Sequence, residues 1–315
     1  MAIATETPEL TAAQPNPTHR RRRRRHRDTL WGHLFLGPWF IGFFVLTLGP
    51  MIASLYLSMT DFSLLSKPNW IGLKNYVDMF TNDPKYLASI KATVIYVVLG
   101  VPAQLIVALA VAVFLNRAFR GMDFYRSVFY LPSLLGGSVA VAVLWQQLFA
   151  DDGLLNQLLG YVGIQGPAWI SEPETAIYTL IVLHVWQFGA PMVIFLAGLR
   201  QIPLVYQEAA RVDGANRAQI FFRVTIPLLS PIIFFNLIMQ VIGAFQAFAP
   251  AFIISDGSGG PANSLLFYTL YLYQQGFGNF HMGYASAMAW VLFVAVAALT
   301  AVNFALSKYW VHYDE

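Results

Sequence analysis

Six long apolar runs dominate the hydrophobic pattern of the chain, at 34–57, 94–115, 127–149, 176–199, 228–254 and 284–307. A hydrocarbon core of roughly 30 Å is crossed by about 20 apolar residues in a helix, so each run is long enough to span a membrane. None of the six contains Lys, Arg, Asp or Glu. The expected fold is all-α, a polytopic membrane protein with six transmembrane helices. Prolines fall inside five of the runs, at Pro50, Pro102, Pro132, Pro191 and Pro250. Spanning helices tolerate them where neighbouring groups satisfy the freed carbonyls. The first run starts too late and is too long for a signal peptide, and no small-residue cleavage pattern follows it, so it reads as a span.

Composition sharpens this picture. Of 315 residues, 57% are hydrophobic and 11% charged, and the mean hydropathy is +0.56. Soluble domains average about a quarter charged residues, so this chain lacks the polar surface to face water all round. It has no cysteine, which excludes disulfides, thiol catalysis and cysteine metal sites. Orientation follows from Lys and Arg. With the N-terminus in the cytoplasm, the outside segments hold only Lys67, Lys74, Lys85 and Lys91, and every other Lys and Arg lies inside. Both termini are therefore expected in the cytoplasm of a cell whose inner or plasma membrane holds the chain.

Residues 1–30 form a separate tail, and residues 31–315 the membrane domain. Residues 1–19 are rich in Pro, Thr, Ala and Gln and are expected to be disordered. The run Arg20–Arg25 with Arg27 reads as a topology determinant touching anionic membrane lipid, at about 1 kcal/mol per charge. No aromatic residue interleaves it for base stacking, so no nucleic-acid partner is expected.

Chemistry is sparse. The chain has no HExxH, no GxSxG and no carboxylate pair within the runs. The glycine-rich stretch 255–264 lacks the spacing of a phosphate loop and reads as a turn. His184 is the only histidine inside an apolar run and reads as a packing residue. No catalytic residue, metal or cofactor is expected. A secondary transporter, the alternative among carriers, would call for intramembrane carboxylates or a histidine relay and often an internal repeat.

One polar segment stands out between the fourth and fifth runs. Residues 203–227 carry a helical pattern interrupted at Asp213-Gly214, with small Ala209 and Ala210 after Glu208. Gly214 permits a sharp turn or a close approach. Pro227 is expected to start the fifth span, at a first-turn position that suits proline. Two readings are open on the residues alone, an amphipathic connector on the membrane surface or a docking element for a partner.

Glu208-Ala209-Ala210, then Gly214 after three residues, then Val224-x-Ile226-Pro227 after nine more, resembles the EAA signature of ATP-binding-cassette importer permeases. The family pattern ends in I-x-L-P, with Val and Ile standing here for Ile and Leu. The stretches "WIGLKNYVDMF", "PAWISEPETA" and "FQAF…SDGSGGP" resemble the maltose-type, carbohydrate branch of the binding-protein-dependent transport family. The resemblance covers roughly residues 30–310 and leaves out the arginine tail.

It implies a type I importer permease fold in which this chain forms half of a pore for a sugar or oligosaccharide. The implied partners are two cytoplasmic ATP-binding subunits, a second permease chain of different sequence, and an extracytoplasmic solute-binding protein. Glu208, Ala209, Ala210, Asp213, Gly214 and Pro227 would form the ATPase-coupling element. The resemblance places a sugar site beside spans four and five. The family's pocket positions fall near Gln240, Gly243, Ala244 and Ala247, of which only Gln240 is polar here, a departure that points to the partner permease as holder of most of the site. Gln187 beside Trp186, together with Gln246, adds neutral hydrogen-bonding groups along this pathway. With no fixed charge in the spans, an uncharged sugar is expected. A phosphorylated solute, as in the glycerol-phosphate members of the branch, would call for Arg or Lys.

Overall fold

The computed structural model describes residues 35–117 and 121–312. The basic tail and Arg120 lie outside the described residues. Among those described there is no strand, only an isolated bridge between Thr60 and Trp70. The chain divides into two units, one up to Ser54 and one from Leu55 onward.

Most of the first candidate span, α1 (Phe35–Ser58), belongs to the first unit. Its aromatic residues stack one turn apart, Trp39 on Phe43 with centroids 5.5 Å apart and Phe40 on Phe44 at 6.3 Å. The helix widens to a π turn at Phe43–Leu48, immediately ahead of Gly49 and Pro50. A proline ring clashes with the carbonyl four residues back, and a wider turn is one way to relieve that clash.

The second unit is built around one helix. A short helix α2 (Lys74–Thr81) leads into α3 (Pro84–Leu115), 32 residues long. Asp83 caps α3 through its side chain, and Pro84 fills the first turn, where a missing N–H costs nothing. The helix thus begins ten residues before the apolar run that predicted it. Tyr86, Ser89, Thr93, Tyr96, Gly100, Gln104, Ala108 and Ala112 form a buried stripe at steps of three and four. Small residues in that stripe let neighbouring backbones approach, which is how membrane helices associate when lipid is as apolar as the side chains.

The third and fourth spans are not straight helices. Helix α4 (Met122–Leu135) meets α5 (Val139–Leu148) at 94°. The sequence at this break is Gly136-Gly137-Ser138, two poor helix formers followed by a serine whose side chain caps α5. After α6 (Leu154–Tyr161), the fourth span consists of α7 (Pro173–Trp186) and α8 (Gly189–Gln201), bent by 42°. Apolar content alone does not register either break. Helices α7 and α8 both pack on α3, and α4 packs on α8.

Helix α9 (Leu204–Val212) and the single turn α10 (Arg217–Ile220) follow. A second π turn, Phe221–Thr225, runs without interruption into α11 (Ile226–Phe245). Pro227 therefore does not start the fifth span. The helix begins at Arg217, and the π turn ahead of Pro227 repeats the arrangement ahead of Pro50. After a break at residues 246–248 come α12 (Ala249–Ile254) and then a glycine-rich segment of turns, with positive φ at Asp256, Gly257, Gly259 and Gly260. Helix α13 (Tyr268–Tyr273) is anchored in the core. Its Tyr268 N–H donates to Thr93 Oγ1 on α3 at 2.8 Å, and the Tyr268 hydroxyl donates to the Met288 carbonyl at 2.8 Å. The last span is α14 (Met282–Ser307).

Candidate functional site

The 203–227 segment folds as two short helices hinged at a glycine. Pro203 precedes the first turn of α9, and Asp213 ends it. Beyond Asp213 the Gly214 N–H bonds to the Arg211 carbonyl at 3.0 Å and the Ala215 N–H to the Ala210 carbonyl at 2.9 Å. This pair of bonds is the Schellman arrangement, which needs a left-handed residue at the position of Gly214. Gly214 has φ +82° with open space where a side chain would stand. The turn, and not a close approach within this chain, requires glycine here. Asn216 then caps α10 in a reciprocal box with Gln219, through bonds of 2.8 and 2.9 Å.

This element carries unpartnered surface. Leu204, Val205, Tyr206 and Val212 are exposed, as is Phe222 just beyond. Glu208 and Ala209 are exposed, Ala210 is half-buried, and Glu208 makes no ion pair among the described residues.

A second cluster lies where spans three and four break. Pro191 has no N–H, so the Gln187 carbonyl four residues back loses its helical donor. Two side chains from other helices replace it. Ser133 on α4 donates its hydroxyl to that carbonyl at 2.9 Å, and Gln104 on α3 donates its side-chain amide at 3.2 Å. The same Gln104 amide donates to the His184 carbonyl at 2.9 Å. Ser133 Oγ also accepts the Ala190 N–H at 2.9 Å. The Gln187 side chain reaches across to the Gly136 carbonyl, at the break of span three, at 3.1 Å. Each break thus satisfies backbone groups of the other, as the absence of water in a membrane interior demands.

A tight approach accompanies this stitching. A Cβ on Gly189 would stand 2.9 Å from the Phe129 carbonyl oxygen and 2.9 Å from Tyr130 Cα, both backbone atoms that cannot swing away. Gly189→Val is expected to lower the yield of folded protein sharply and to depress the melting temperature of what is recovered, read by size-exclusion chromatography and thermal unfolding in detergent. An unchanged profile would show that α4 and α8 need not approach here.

The residues expected along the substrate pathway differ in how far they are committed within the chain. Gln187 has its amide donor committed to Gly136, and the Trp186 ring packs 5.9 Å from that of Trp145 on α5. Ala244 is buried, with 2% of its surface exposed. Ala247 offers its carbonyl to Thr269 Oγ1 at 2.5 Å. Gly243 and Gln246 are exposed, and Gln240 is half-buried. Gln240 and Gln246 have no side-chain hydrogen bond among the described residues, and so remain open to a ligand. The sequence reading missed Gln104 and Ser133. Their only signal was a polar residue close to a proline in an apolar run, Gln104 after Pro102 and Ser133 after Pro132.

Comparison with known families decides what kind of protein carries this geometry. Residues 81–311 match the family described as binding-protein-dependent transport system inner membrane component. The chain belongs to this family. As a transport component it is a membrane permease and not an enzyme. This permease is 55% identical over 289 residues to the Probable ABC transporter permease protein YesP of Bacillus subtilis (strain 168), covering 91% of this chain and 94% of that one. It is 33% identical over 279 residues to the lactose transport system permease protein LacF of Rhizobium radiobacter, covering 87% and 92%. A bacterial alginate ABC transporter, solved with an alginate pentasaccharide-bound periplasmic protein, contains a chain of the same fold. The TM-score is 0.77 at 20% identity, over 91% of this permease and 96% of that chain.

Proposed function

We propose that this permease is one half of the translocation pore of an ATP-driven importer of uncharged oligosaccharides, coupled to a cytoplasmic ATPase through α9 and the Gly214 turn. The observation that carries the coupling assignment is the exposed, pre-folded 204–220 element, whose apolar side chains Leu204, Val205, Tyr206 and Val212 stand exposed and whose Glu208 makes no ion pair among the described residues. A rigid element of this kind transmits a push better than a loose connector would. Relatives named for lactose, starch degradation products and arabinooligosaccharides support a sugar as cargo. The six apolar runs offer amides and aromatic rings and no fixed charge, which suits an uncharged sugar. A second permease chain with its own coupling element completes the pore, and an extracytoplasmic binding protein delivers the sugar.

The test is uptake into vesicles holding the assembled importer. ATP-dependent accumulation of neutral oligosaccharides is expected, with phosphorylated sugars excluded. Gln240→Ala is expected to reduce the rate severalfold at limiting sugar. Uptake driven by an ion gradient without ATP would establish a secondary transporter instead. Preference for a phosphorylated solute would place the permease with the glycerol-phosphate carriers.

In the proposed orientation the loop and both termini face the cytoplasm. The absence of native cysteine makes this direct to check. A single Asp213→Cys is expected to react with a membrane-impermeant maleimide only in inside-out vesicles, and a Lys67→Cys only in right-side-out cells. The reverse pattern would invert the topology.

A further inference from the structure

A polar cavity of about 700 Å³ opens at the start of α3, between α2, the segment after α13 and the start of α14. By the count of spans it lies at the membrane face opposite the 203–227 element. Neither the coupling element nor the amides of span five contribute to it.

Its back wall is rigid. Asp83 accepts the Tyr86 N–H at 3.1 Å through Oδ1, and the Tyr271 and Tyr284 hydroxyls at 2.7 and 2.5 Å through Oδ2. Gln275 donates to the Tyr271 hydroxyl at 2.5 Å, and its Oε1 lies 3.2 Å from His281 Nδ1. One carboxylate thus ties together the ends of three helices, and two tyrosine rings are held in place along the cavity.

The opposite wall presents unused acceptors. Asn75 is 8% exposed, and both of its amide hydrogens are spent, on the Ser58 and Thr60 carbonyls at 2.8 and 2.9 Å. Its Oδ1 has no hydrogen bond among the described residues, and Asn75 is one of the residues lining the cavity. Beside it, Asp78 has one oxygen engaged by the Asn82 amide at 2.9 Å and the other open. Asp61 stays ionised, because the Asn69 backbone N–H and then its side-chain amide hold the carboxyl below the usual carboxylate range. The one lysine lining the cavity, Lys74, shares it with three aspartates, Asp61, Asp78 and Asp83.

Acceptors with no partner in the chain, the Asn75 amide oxygen and one Asp78 oxygen, are free to take hydroxyl donors from outside. An excess of carboxylates repels anions, and aromatic rings beside planar polar groups present the surface that a sugar ring fits. The volume falls within the range of small-ligand sites, roughly 300–1,000 Å³. We propose that this cavity is a saccharide-binding site, separate from the span-five pathway, that accepts the hydroxyl groups of one or two uncharged sugar units and rejects uronic acids. The proposal rests on the sugar-importer reading and assigns a second contact for the same cargo, at the mouth of the pore.

The experiment is isothermal titration of the assembled, nucleotide-free importer in nanodiscs, without binding protein. The probes are lactose, maltose, arabinobiose and digalacturonate. At least one neutral disaccharide is expected to bind and digalacturonate not to. Asp78→Lys is expected to weaken that binding at least tenfold. Asn75→Leu repeats the test from the buried side, and Asp78→Lys, at a half-buried surface position, guards against misfolding of the Asn75 variant. Binding by none of the probes, binding that Asp78→Lys does not change, or tighter binding of digalacturonate would each overturn the proposal. So would a cavity that takes a lysine-rich peptide and no sugar, which would mark it as a protein contact. Sugar uptake in the vesicle assay is a separate readout. ATP-driven uptake that persists without binding at this cavity overturns the cavity alone, and absence of uptake overturns the importer reading.

Discussion

Gly214→Trp is expected to abolish ATP-driven uptake while the permease still reaches the membrane in normal amounts. The residue sits at φ +82°, where an L side chain costs about 1–2 kcal/mol. More important than that cost is its consequence for direction. If the Schellman bonds open to relieve the strain, α9 is no longer held at a fixed angle to α10. The indole would also project from a surface now open, where a docking partner must come close. Gly214→Asn is the control, because asparagine tolerates the left-handed conformation, and it is expected to retain most of the activity. Glu208→Lys tests the same surface through charge. Reversing one member of a charge pair buried on docking removes about 2–5 kcal/mol, enough to lose the ATPase from the complex. The measurement is co-purification of the ATPase with each variant, alongside uptake. Full recovery of ATPase and normal transport with Gly214→Trp would refute the coupling assignment.

Gln104→Leu is expected to lower the stability of the folded permease by about 1–3 kcal/mol. It removes one of two donors to the His184 carbonyl, which keeps the Gln187 N–H, and one of two donors to the Gln187 carbonyl, which keeps Ser133. Each intramolecular hydrogen bond lost costs about 0.5–1.5 kcal/mol net, and two are lost together. Ser133→Ala is expected to cost a similar amount, since it removes a donor to the Gln187 carbonyl and the acceptor of the Ala190 N–H. Pro191→Ala supplies the diagnostic. The new N–H can serve the Gln187 carbonyl from within the helix, so this second change is expected to recover part of the stability lost in Ser133→Ala. Thermal unfolding of the four proteins of that cycle in detergent decides the matter. Strictly additive losses would mean that the side chains do not compensate for the proline.

Both predictions depend on features the sequence supplies unequally. The 203–227 element was legible because its signals are local. A glycine after an aspartate, a helix-forming stretch before it and a spaced pattern around it all act within a few residues of chain. The stitched break was not legible, because Gln104, Ser133 and Gln187 are separated by up to 83 residues and meet only when α3, α4 and α8 pack. Gln187 shows the difference clearly. In the sequence it is a neutral amide in an apolar run, equally suited to a sugar or to a backbone carbonyl, and the packing gives its amide donor to Gly136.

Composition and charge bias determined a good deal unaided. They gave a helical membrane protein, six apolar stretches, an expected orientation and the absence of recognisable catalytic motifs, because hydrophobic length and charge placement are properties of each segment against its solvent. The prolines could be seen, but not what each would do. Pro50 and Pro227 follow π turns, and Pro191 frees a carbonyl beside a 42° bend. The difference lies in whether another helix is close enough to supply a hydrogen bond, and that distance exists only in the folded chain. The cavity at the start of α3 was decided in the same way. Asp83, Tyr271 and Tyr284 are ordinary residues in three separate segments until packing places two hydroxyls on one carboxylate oxygen.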